Sequence, residues 1–283
     1  MGGDKPTFVL IHGYWHDSGS WTPILPLLTR AGYEAHALDL PGAGSNAKVP
    51  QSYRRRPFDP AAFATEPSPN AGVTQEQRTQ AVVDRVRAIG RPVVLVGHSM
   101  GGATISDVAE TIPDSIAAAV YLTAFLLAPG TPPIAIMQHE TMAAALVPSL
   151  FSADPEKAGA LRLNPLSGDA DYAARFRRAF YGDVGEAELA EFIPHLHPDE
   201  PLETAVRPSA VTKLRFGKVA RHYIRCTEDN AITAAGQDFM IAAADAALGT
   251  ATATYTMEGS SHSPFLSRPA ELADLLTGIA ARA

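Results

Sequence analysis

The sequence predicts an α/β fold, with a mostly parallel central sheet that carries helices on both faces. Three observations lead to this prediction. Short, almost wholly apolar runs alternate along the chain with segments of helical periodicity. Such near-continuous apolar runs are typical of parallel strands buried on both sides. The chain has 283 residues, of which 46% are hydrophobic and 19% charged, as expected for a globular protein with a sizeable core.

Six apolar runs predict the strands of this sheet in order. They lie at 7–13, 33–40, 91–99, 116–125, 218–227 and 251–258. Helical patterns lie between them, at 20–32, at 75–89, directly after Ser99, and at the C-terminal end. In the third of these helices Ile105, Val108, Ala109 and Ile112 recur at the spacing of one helical face. Pro23 near the start of the first helix and Gly32 at its end fit the usual helix boundaries.

One segment between the second and third strands breaks the alternation. Residues 46–73 contain five prolines and the consecutive arginines Arg54–Arg56. The segment is too long for an ordinary connection, and we expect a functional or mobile loop. The arginines are expected to form a solvated loop face, with recognition of an acidic substrate as the alternative.

A second segment, 126–216, separates the fourth and fifth strands. It reads as mostly helical, is interrupted by prolines, and has no evident strand of its own. We interpret it as a cap inserted over the sheet. The prediction is therefore one domain, 1–283, with its core at about 7–125 and 217–282.

Composition argues against several classes of function. The formal net charge is -7, and no clustered basic face indicates nucleic-acid binding. No stretch approaches the roughly 20 apolar residues that span a bilayer. The N-terminal "MGGDKPTFVLIHG" lacks the pattern of a secretory leader, and the single cysteine, Cys226, permits no intramolecular disulfide. We expect a cytoplasmic protein without a membrane partner.

The stretch "LVGHSMGG" is the first candidate for chemistry. Gly97 to Gly101 read G-x-S-x-G between an apolar strand and an amphipathic helix. A sharp strand-to-helix turn strains the serine backbone, so the residues two positions away must lack bulk. Ser99 is therefore predicted to be a nucleophile.

A serine hydroxyl needs a base to accept its proton, and the chain has nine histidines. After such a turn, the acid and then the histidine follow on loops that end later strands. His262 in "EGSSHSPFL" lies after the sixth strand, where the base is expected. Other histidines are less suitable. The side chain of His98 should point away from the serine, and His222 lies within a strand. Three more lie in the cap, namely His139, His195 and His197.

The acid should end the fifth strand, in "RCTEDNAI". Glu228 and Asp229 both fit this position, and spacing alone does not choose between them. Asp39 in "LDLPG" ends an earlier strand and is expected to form a turn.

An oxyanion hole requires two backbone N–H groups directed at the developing negative charge. The residue after the nucleophile, Met100, should supply one of them. The loop after the first strand, "HGYWH", should supply the other through the N–H of Tyr14. Trp15, Phe125 and Phe265 are candidates, with Tyr14 and Met100, to line an apolar substrate pocket.

Taken together, these motifs resemble the α/β-hydrolase superfamily, and within it the subgroup of plant methyl-ester esterases and hydroxynitrile lyases. The resemblance rests on "FVLIHGYWHDSGSW", "ALDLPGAG", "LVGHSMGGATI", "IAAAVYLTAF", "YIRCTEDNAITAAGQ" and "EGSSHSPFLSRPAEL", which span about 7 to 276. It implies an α/β-hydrolase fold, and it implies that the acid is the aspartate of "TED", Asp229. The lyases carry a lysine directly after the catalytic histidine, whereas this chain has Ser263 there.

The resulting hypothesis is a serine hydrolase that cleaves small carboxylic esters, methyl or aryl esters among them, through Ser99, His262 and Asp229. It needs neither a metal nor an organic cofactor, and its partner is a small-molecule ester. Alternatives are a lactonase or a hydrolase of a biosynthetic intermediate with the same triad. A hydroxynitrile lyase and a non-catalytic ligand receptor are less favoured, because Ser263 replaces the lysine and because binding alone needs no activated serine.

Overall fold

A computed structural model of the chain describes residues 5–283. The first four residues of the predicted domain lie outside this range. They belong to the N-terminal stretch in which a secretory leader was considered. A central sheet of six strands has the order β2-β1-β3-β4-β7-β8, and every neighbouring pair is parallel. These strands are β1 (Thr7–Ile11), β2 (Ala35–Leu38), β3 (Val93–His98), β4 (Ile116–Leu122), β7 (Arg221–Cys226) and β8 (Ala253–Met257). All six lie within the predicted runs, which confirms the α/β fold.

Helices cover the sheet. They are α1 (Leu25–Arg30), α2 (Gln51–Arg54), α3 (Pro60–Thr65), α4 (Gln75–Ile89), α5 (Gly101–Thr111), α6 (Pro133–Met137), α7 (Pro155–Ala158), α8 (Ala170–Phe180), α9 (Glu186–Phe192), α10 (Leu202–Val206), α11 (Ala234–Leu248), α12 (Pro264–Ser267) and α13 (Pro269–Ala280). Phe8 and Leu10 of β1 belong to one buried apolar cluster, and Val9 and Ile11 belong to a second. Because successive side chains of a strand point to opposite faces, the sheet has a core on each side. Among residues 5–283 no helix is long and apolar enough to cross a membrane.

Local sequence sets the helix boundaries. Helix α4 begins with a capping box between Thr74 and Gln77 and ends at Gly90, whose φ is 70°. The predicted helix at 20–32 is shorter than expected, since only Leu25–Arg30 is α-helical. Pro26 explains this, because a proline ring is tolerated in the first turn but clashes with the preceding turn inside a helix.

The segment 126–216 contains two strands that the sequence did not predict. Strands β5 (Ala160–Arg162) and β6 (Asp199–Pro201) pair antiparallel. The pair is joined by a fully buried bidentate contact, with Arg162 Nε 2.6 Å and Arg162 Nη2 2.7 Å from the two carboxylate oxygens of Asp199. Strands of three residues show no usable periodicity, so the sequence predicts a mostly helical cap without a strand of its own.

The segment 46–73 is also more structured than predicted. It contains α2 and α3, and the rings of Tyr53 and Phe63 stack with centroids 5.5 Å apart. Arg162 of the cap donates hydrogen bonds to the backbone carbonyls of Phe63 and Glu66. The segment is therefore packed against the cap and contains two short helices that the sequence did not predict.

Candidate active site

Ser99 lies at the turn between β3 and α5. Its φ is 52°, a left-handed conformation that is unfavourable for any residue with a side chain. A Cβ at Gly97 would lie 2.7 Å from the Gly101 carbonyl oxygen, and one at Gly101 would lie 2.7 Å from that of His12. The turn thus requires glycine at both flanking positions, as the motif predicts.

Two other residues in the described part of the chain share this strain. The non-glycine residues with positive φ between residues 5 and 283 are Trp15, Ser99 and Thr123. They follow β1, β3 and β4, which are neighbours in the sheet. Ligand sites of open parallel sheets lie at the carboxyl ends of the strands. The strained backbone is therefore concentrated where the sequence predicts the site.

His262 and Asp229 meet as predicted. The Nδ1–H of His262 donates to Asp229 Oδ2 over 2.7 Å, and both side chains are buried. Asp229 Oδ1 accepts the backbone N–H groups of Ala231 and Ile232 at 2.7 and 2.8 Å. Glu228, the alternative acid, is exposed. Of the two acids that spacing left open, Asp229 is the one in contact with the histidine.

Thr123 also contacts the acid, and the sequence reasoning missed it. Its hydroxyl donates to Asp229 Oδ2 over 2.5 Å. Its position directly after β4, at the carboxyl end of the sheet, is the only signal that could have suggested it.

Ser99 and His262 are not joined by a hydrogen bond in the described part of the chain. Within residues 5–283, Ser99 Oγ has no hydrogen-bond partner, whereas its backbone carbonyl accepts from Phe125 and Gly102. In proteins without bound substrate, catalytic hydrogen bonds are often long and tighten in the complex. The structure thus brings His262 and Asp229 into direct contact and leaves the Ser99 hydroxyl unpaired.

His98 packs against His262, with ring centroids 4.5 Å apart. Its Nε2–H donates to the His262 carbonyl over 2.9 Å. Burial, together with the neighbouring His262 and His16, holds the pKa of His98 well below the usual histidine value. Because the His98 ring is hydrogen-bonded to the His262 backbone, it is placed to support His262 and not to act in its place. The remaining candidates stand elsewhere: His222 in β7, His139 stacked on Phe239, His195 exposed, and His197 paired with Glu200.

The two predicted oxyanion donors flank Ser99. A Cβ at Gly13, the residue before Tyr14, would lie 2.6 Å from Ser99 Cβ, so the "HGYWH" loop closely approaches the serine. In the part of the chain that the structure describes, neither the Tyr14 N–H nor the Met100 N–H donates to a protein acceptor. Both amides are therefore available to a ligand atom beside Ser99.

A cavity lined mostly by apolar side chains opens beside Ser99. Its walls include the predicted residues Tyr14, Trp15, Met100 and Phe125. Phe265 is not among them: it is fully buried behind the site and packs edge-on against His98 with centroids 4.9 Å apart. Sequence reasoning missed Phe180, Ala231 and Ile232 and the cap residues Met137, Met142, Ala145, Val147 and Pro148.

Arg54, Arg55 and Arg56 are exposed, and none of them lines this cavity. Between residues 5 and 283, no group of three or more histidine, cysteine, aspartate or glutamate residues is arranged to hold a metal ion.

The comparison with known proteins agrees with this geometry. The alpha/beta hydrolase family model matches residues 8–275. The chain belongs to the alpha/beta hydrolase family. Methylesterase 2 of Arabidopsis thaliana is 28% identical to this hydrolase, covering 98% of this chain and 96% of the plant protein. The alpha-hydroxynitrile lyase of the same plant is 26% identical, over 98% and 97% of the two chains. A crystal structure of a pyrethroid hydrolase superimposes with a TM-score of 0.77 at 25% identity, covering 98% of both chains. This hydrolase is thus a carboxylic-ester hydrolase of the alpha/beta type.

Proposed function

We propose that this hydrolase cleaves neutral, largely apolar carboxylic esters through an acyl-enzyme on Ser99. The observation that carries the proposal is the buried His262–Asp229 hydrogen bond beside a strained serine in an apolar cavity. A histidine oriented by a carboxylate, next to a serine on a sharp turn, is the arrangement that activates a hydroxyl for acyl transfer.

In the proposed reaction Ser99 Oγ attacks the ester carbonyl carbon, and His262 Nε2 accepts the hydroxyl proton. The proton on His262 Nδ1 stays in its hydrogen bond with Asp229, whose charge stabilises the imidazolium. The amides of Tyr14 and Met100 stabilise the negative charge on the carbonyl oxygen. His262 then gives its proton to the departing alcohol. Water attacks the acyl-enzyme with the same proton transfers and releases the acid and Ser99.

The composition of the cavity supports a neutral substrate. None of the residues that line it carries a formal charge. Two of its aromatic side chains carry polar atoms, and both are already bonded, Tyr14 Oη to Thr204 and Trp15 Nε1 to the Leu161 carbonyl. A charged substrate group in this cavity would lose its hydration without gaining a partner, which is strongly unfavourable.

We therefore expect p-nitrophenyl butyrate to be cleaved with a kcat/KM at least about 100-fold above that of the p-nitrophenyl monoester of succinate, which adds a carboxylate to an acyl chain of similar size. Initial rates of p-nitrophenol release measure both constants. Equal constants would contradict the proposed preference for neutral esters.

The side chain after the histidine argues against cyanohydrin cleavage, the activity of the lyase relatives. Ser263 is uncharged and fully buried, so it cannot supply the cation that the resemblance to the lyases implies at this position. Hydrolysis needs no cation there.

Removing the proposed nucleophile tests the function directly. Ser99→Ala should lower kcat for p-nitrophenyl butyrate by roughly 10⁴ or more, as triad substitutions do in other serine enzymes. A fluorophosphonate probe should label folded wild-type protein at Ser99, and neither Ser99→Ala nor heat-denatured wild type. Turnover of the variant at the wild-type rate would disprove the mechanism.

A further inference from the structure

The loop that carries Tyr14 is held by hydrogen bonds to several of its backbone groups. The Gly13 carbonyl accepts from His12 Nδ1 at 2.8 Å, and the Tyr14 carbonyl accepts from His16 Nδ1 at 2.6 Å. The Trp15 carbonyl accepts the N–H of His197 at 3.1 Å. The carbonyls of three consecutive residues are thus fixed, while the Tyr14 N–H, which shares a peptide group with the Gly13 carbonyl, has no acceptor in the described residues.

The N–H of Trp15 is held from the cap, by Glu200 of β6. Glu200 Oε1 accepts this N–H over 2.7 Å. The same oxygen accepts from His197 Nε2 at 2.9 Å, and Oε2 accepts from Arg78 Nη2 of α4 at 2.7 Å. Glu200 is fully buried, and Arg78 is 3% exposed. Burial alone would raise the pKa of Glu200, but Arg78 and His197 outweigh it and lower that pKa to about 2.

This contact holds a residue that would otherwise relax. Trp15 has a φ of 62°, which costs on the order of 1–3 kcal/mol for a residue other than glycine and persists only where neighbouring groups fix it. Without Glu200, the Trp15 N–H would also be a buried donor without a partner. Rotation about the Trp15 backbone would relieve both costs, and it would displace the adjoining Tyr14, whose N–H is a proposed oxyanion donor.

We propose that Glu200 is a positioning residue for ester hydrolysis: by accepting the Trp15 N–H, it holds the neighbouring Tyr14 N–H toward the oxyanion. The inference rests on the proposed function, in which Tyr14 supplies an oxyanion donor. It assigns the cap a part in the chemistry itself, in addition to lining the substrate cavity.

The test must separate this role from the stability of a buried ion pair. Replacing both charges by apolar residues of similar length often leaves stability unchanged, whereas removing one charge of the pair is costly. We therefore compare Arg78→Met/Glu200→Met with Arg78→Met/Glu200→Gln. The two double variants have the same charge and nearly the same side-chain length, but only glutamine offers an oxygen to the Trp15 N–H.

Two measurements report on the oxyanion hole. We expect kcat for p-nitrophenyl butyrate to fall about 30-fold in the methionine double variant and to stay within about 3-fold of wild type in the glutamine variant, with KM within about 3-fold in both. Loss of one oxyanion donor costs roughly 10²–10³ in kcat, so a displaced donor should cost somewhat less. A trifluoromethyl ketone, which Ser99 would convert to an anionic hemiketal, should bind more weakly to the methionine variant in the same proportion. The matching methyl ketone should bind equally to both.

Asp199→Asn is the matched control. Asp199 is the neighbour of Glu200 in β6 and is also fully buried against an arginine, but its partner Arg162 contacts α3 and not the Tyr14 loop. This variant should lower Tm and keep the kcat of the folded protein. If the methionine double variant does not fold, Glu200→Asp keeps the charge but withdraws the carboxylate from Trp15, and it should lose about 10-fold in kcat.

Two results would overturn the role of Glu200. One is a wild-type kcat in folded Arg78→Met/Glu200→Met or in folded Glu200→Asp. The other is an equal loss of kcat in the two double variants. Failure of the proposed function is distinct, because fluorophosphonate would then not label Ser99 in the wild-type protein.

Discussion

Asp229 is fixed by four hydrogen bonds from four different residues. Two backbone N–H groups bind Oδ1, while the His262 ring and the Thr123 hydroxyl bind Oδ2. A carboxylate whose acceptor sites are occupied in this way cannot rotate without breaking several charge-assisted hydrogen bonds. The orientation of the His262 ring therefore depends in part on Thr123.

Thr123→Val should lower kcat about 10-fold, because a hydrogen bond to a charged group contributes about 1.5–3 kcal/mol and 1.4 kcal/mol corresponds to a factor of ten. Valine keeps the branched shape at this strained position and removes only the hydroxyl. Thr123→Ser restores the hydroxyl and should return kcat to within about 3-fold of wild type. Steady-state rates on p-nitrophenyl butyrate measure kcat for both variants. Equal kcat values for Thr123→Val and Thr123→Ser would exclude a role of the Thr123 hydroxyl in orienting His262.

At the residue scale, the sequence identifies the groups that a motif marks. The glycines around Ser99 and the position of His262 after the last strand identify these two residues. The choice of Asp229 over Glu228 needed family resemblance, because adjacent residues fit the same spacing. Thr123 lies 106 positions from its partner and belongs to no motif. Glu200 likewise reaches its contacts only through the folding of the cap.

Among the secondary-structure elements, close packing of α5 on the sheet is a condition for the site. A Cβ at Gly101 would lie 2.7 and 2.8 Å from the carbonyl oxygens of His12 and Ile11. Both of those atoms are backbone atoms at the end of β1, and they cannot move aside as a flexible side chain would. The helix that follows Ser99 and the loop that bears Tyr14 are thus held in direct contact.

Gly101→Ala should destabilise the protein by about 1–3 kcal/mol, the usual cost of overpacking a core. It should also lower kcat, since the helix must move away from the Tyr14 loop. Gly168→Ala is the control, because a Cβ there meets no atom within 4 Å. Urea unfolding at equal m-value measures the stability change. A Gly101→Ala midpoint equal to that of the control would contradict this account of the turn.

The sequence predicted all six strands of the central sheet. Strands β1, β3 and β4 are buried along almost their whole length, whereas the edge strands β2 and β8 are partly exposed, and all six could be read from neighbouring residues alone. The cap strands have three residues each and are paired by Arg162 and Asp199, 37 positions apart. The same arginine binds backbone carbonyls within and at the end of α3, the second short helix of 46–73. Tertiary contacts determine these elements, and periodicity cannot detect them.

Considered as a whole, the molecule keeps several histidines neutral in its interior. Burial lowers the pKa of His12 to about 4 and that of His16 to about 3, and it also lowers the pKa of His98. Two of these rings orient the Tyr14 loop, and the third contacts His262. Each ring donates one hydrogen bond to a carbonyl in its neutral form, so the site is built around uncharged imidazoles.

This arrangement predicts a loss of stability in mild acid. Above pH 6.5 the three rings are neutral in both the folded and the unfolded chain. As the pH falls from about 6.5 to 4, the unfolded chain binds protons that the folded chain does not, so the free energy of unfolding decreases. The shift of His12 alone corresponds to ~3 kcal/mol. Asp107 acts in the opposite direction, because burial raises its pKa to about 6 and the folded chain binds that proton first.

The three fully buried histidines outweigh the two aspartates whose pKa burial raises, Asp107 and the partly buried Asp17, so the urea midpoint should be lower at pH 5.0 than at pH 7.5. His98→Gln removes one buried titrating ring, and its side-chain amide can still donate to the His262 carbonyl. It should therefore reduce the difference between the two midpoints. His195→Asn, at an exposed position, should leave the difference unchanged. A midpoint at pH 5.0 equal to or above that at pH 7.5 would show that the buried rings are not the groups that set acid stability.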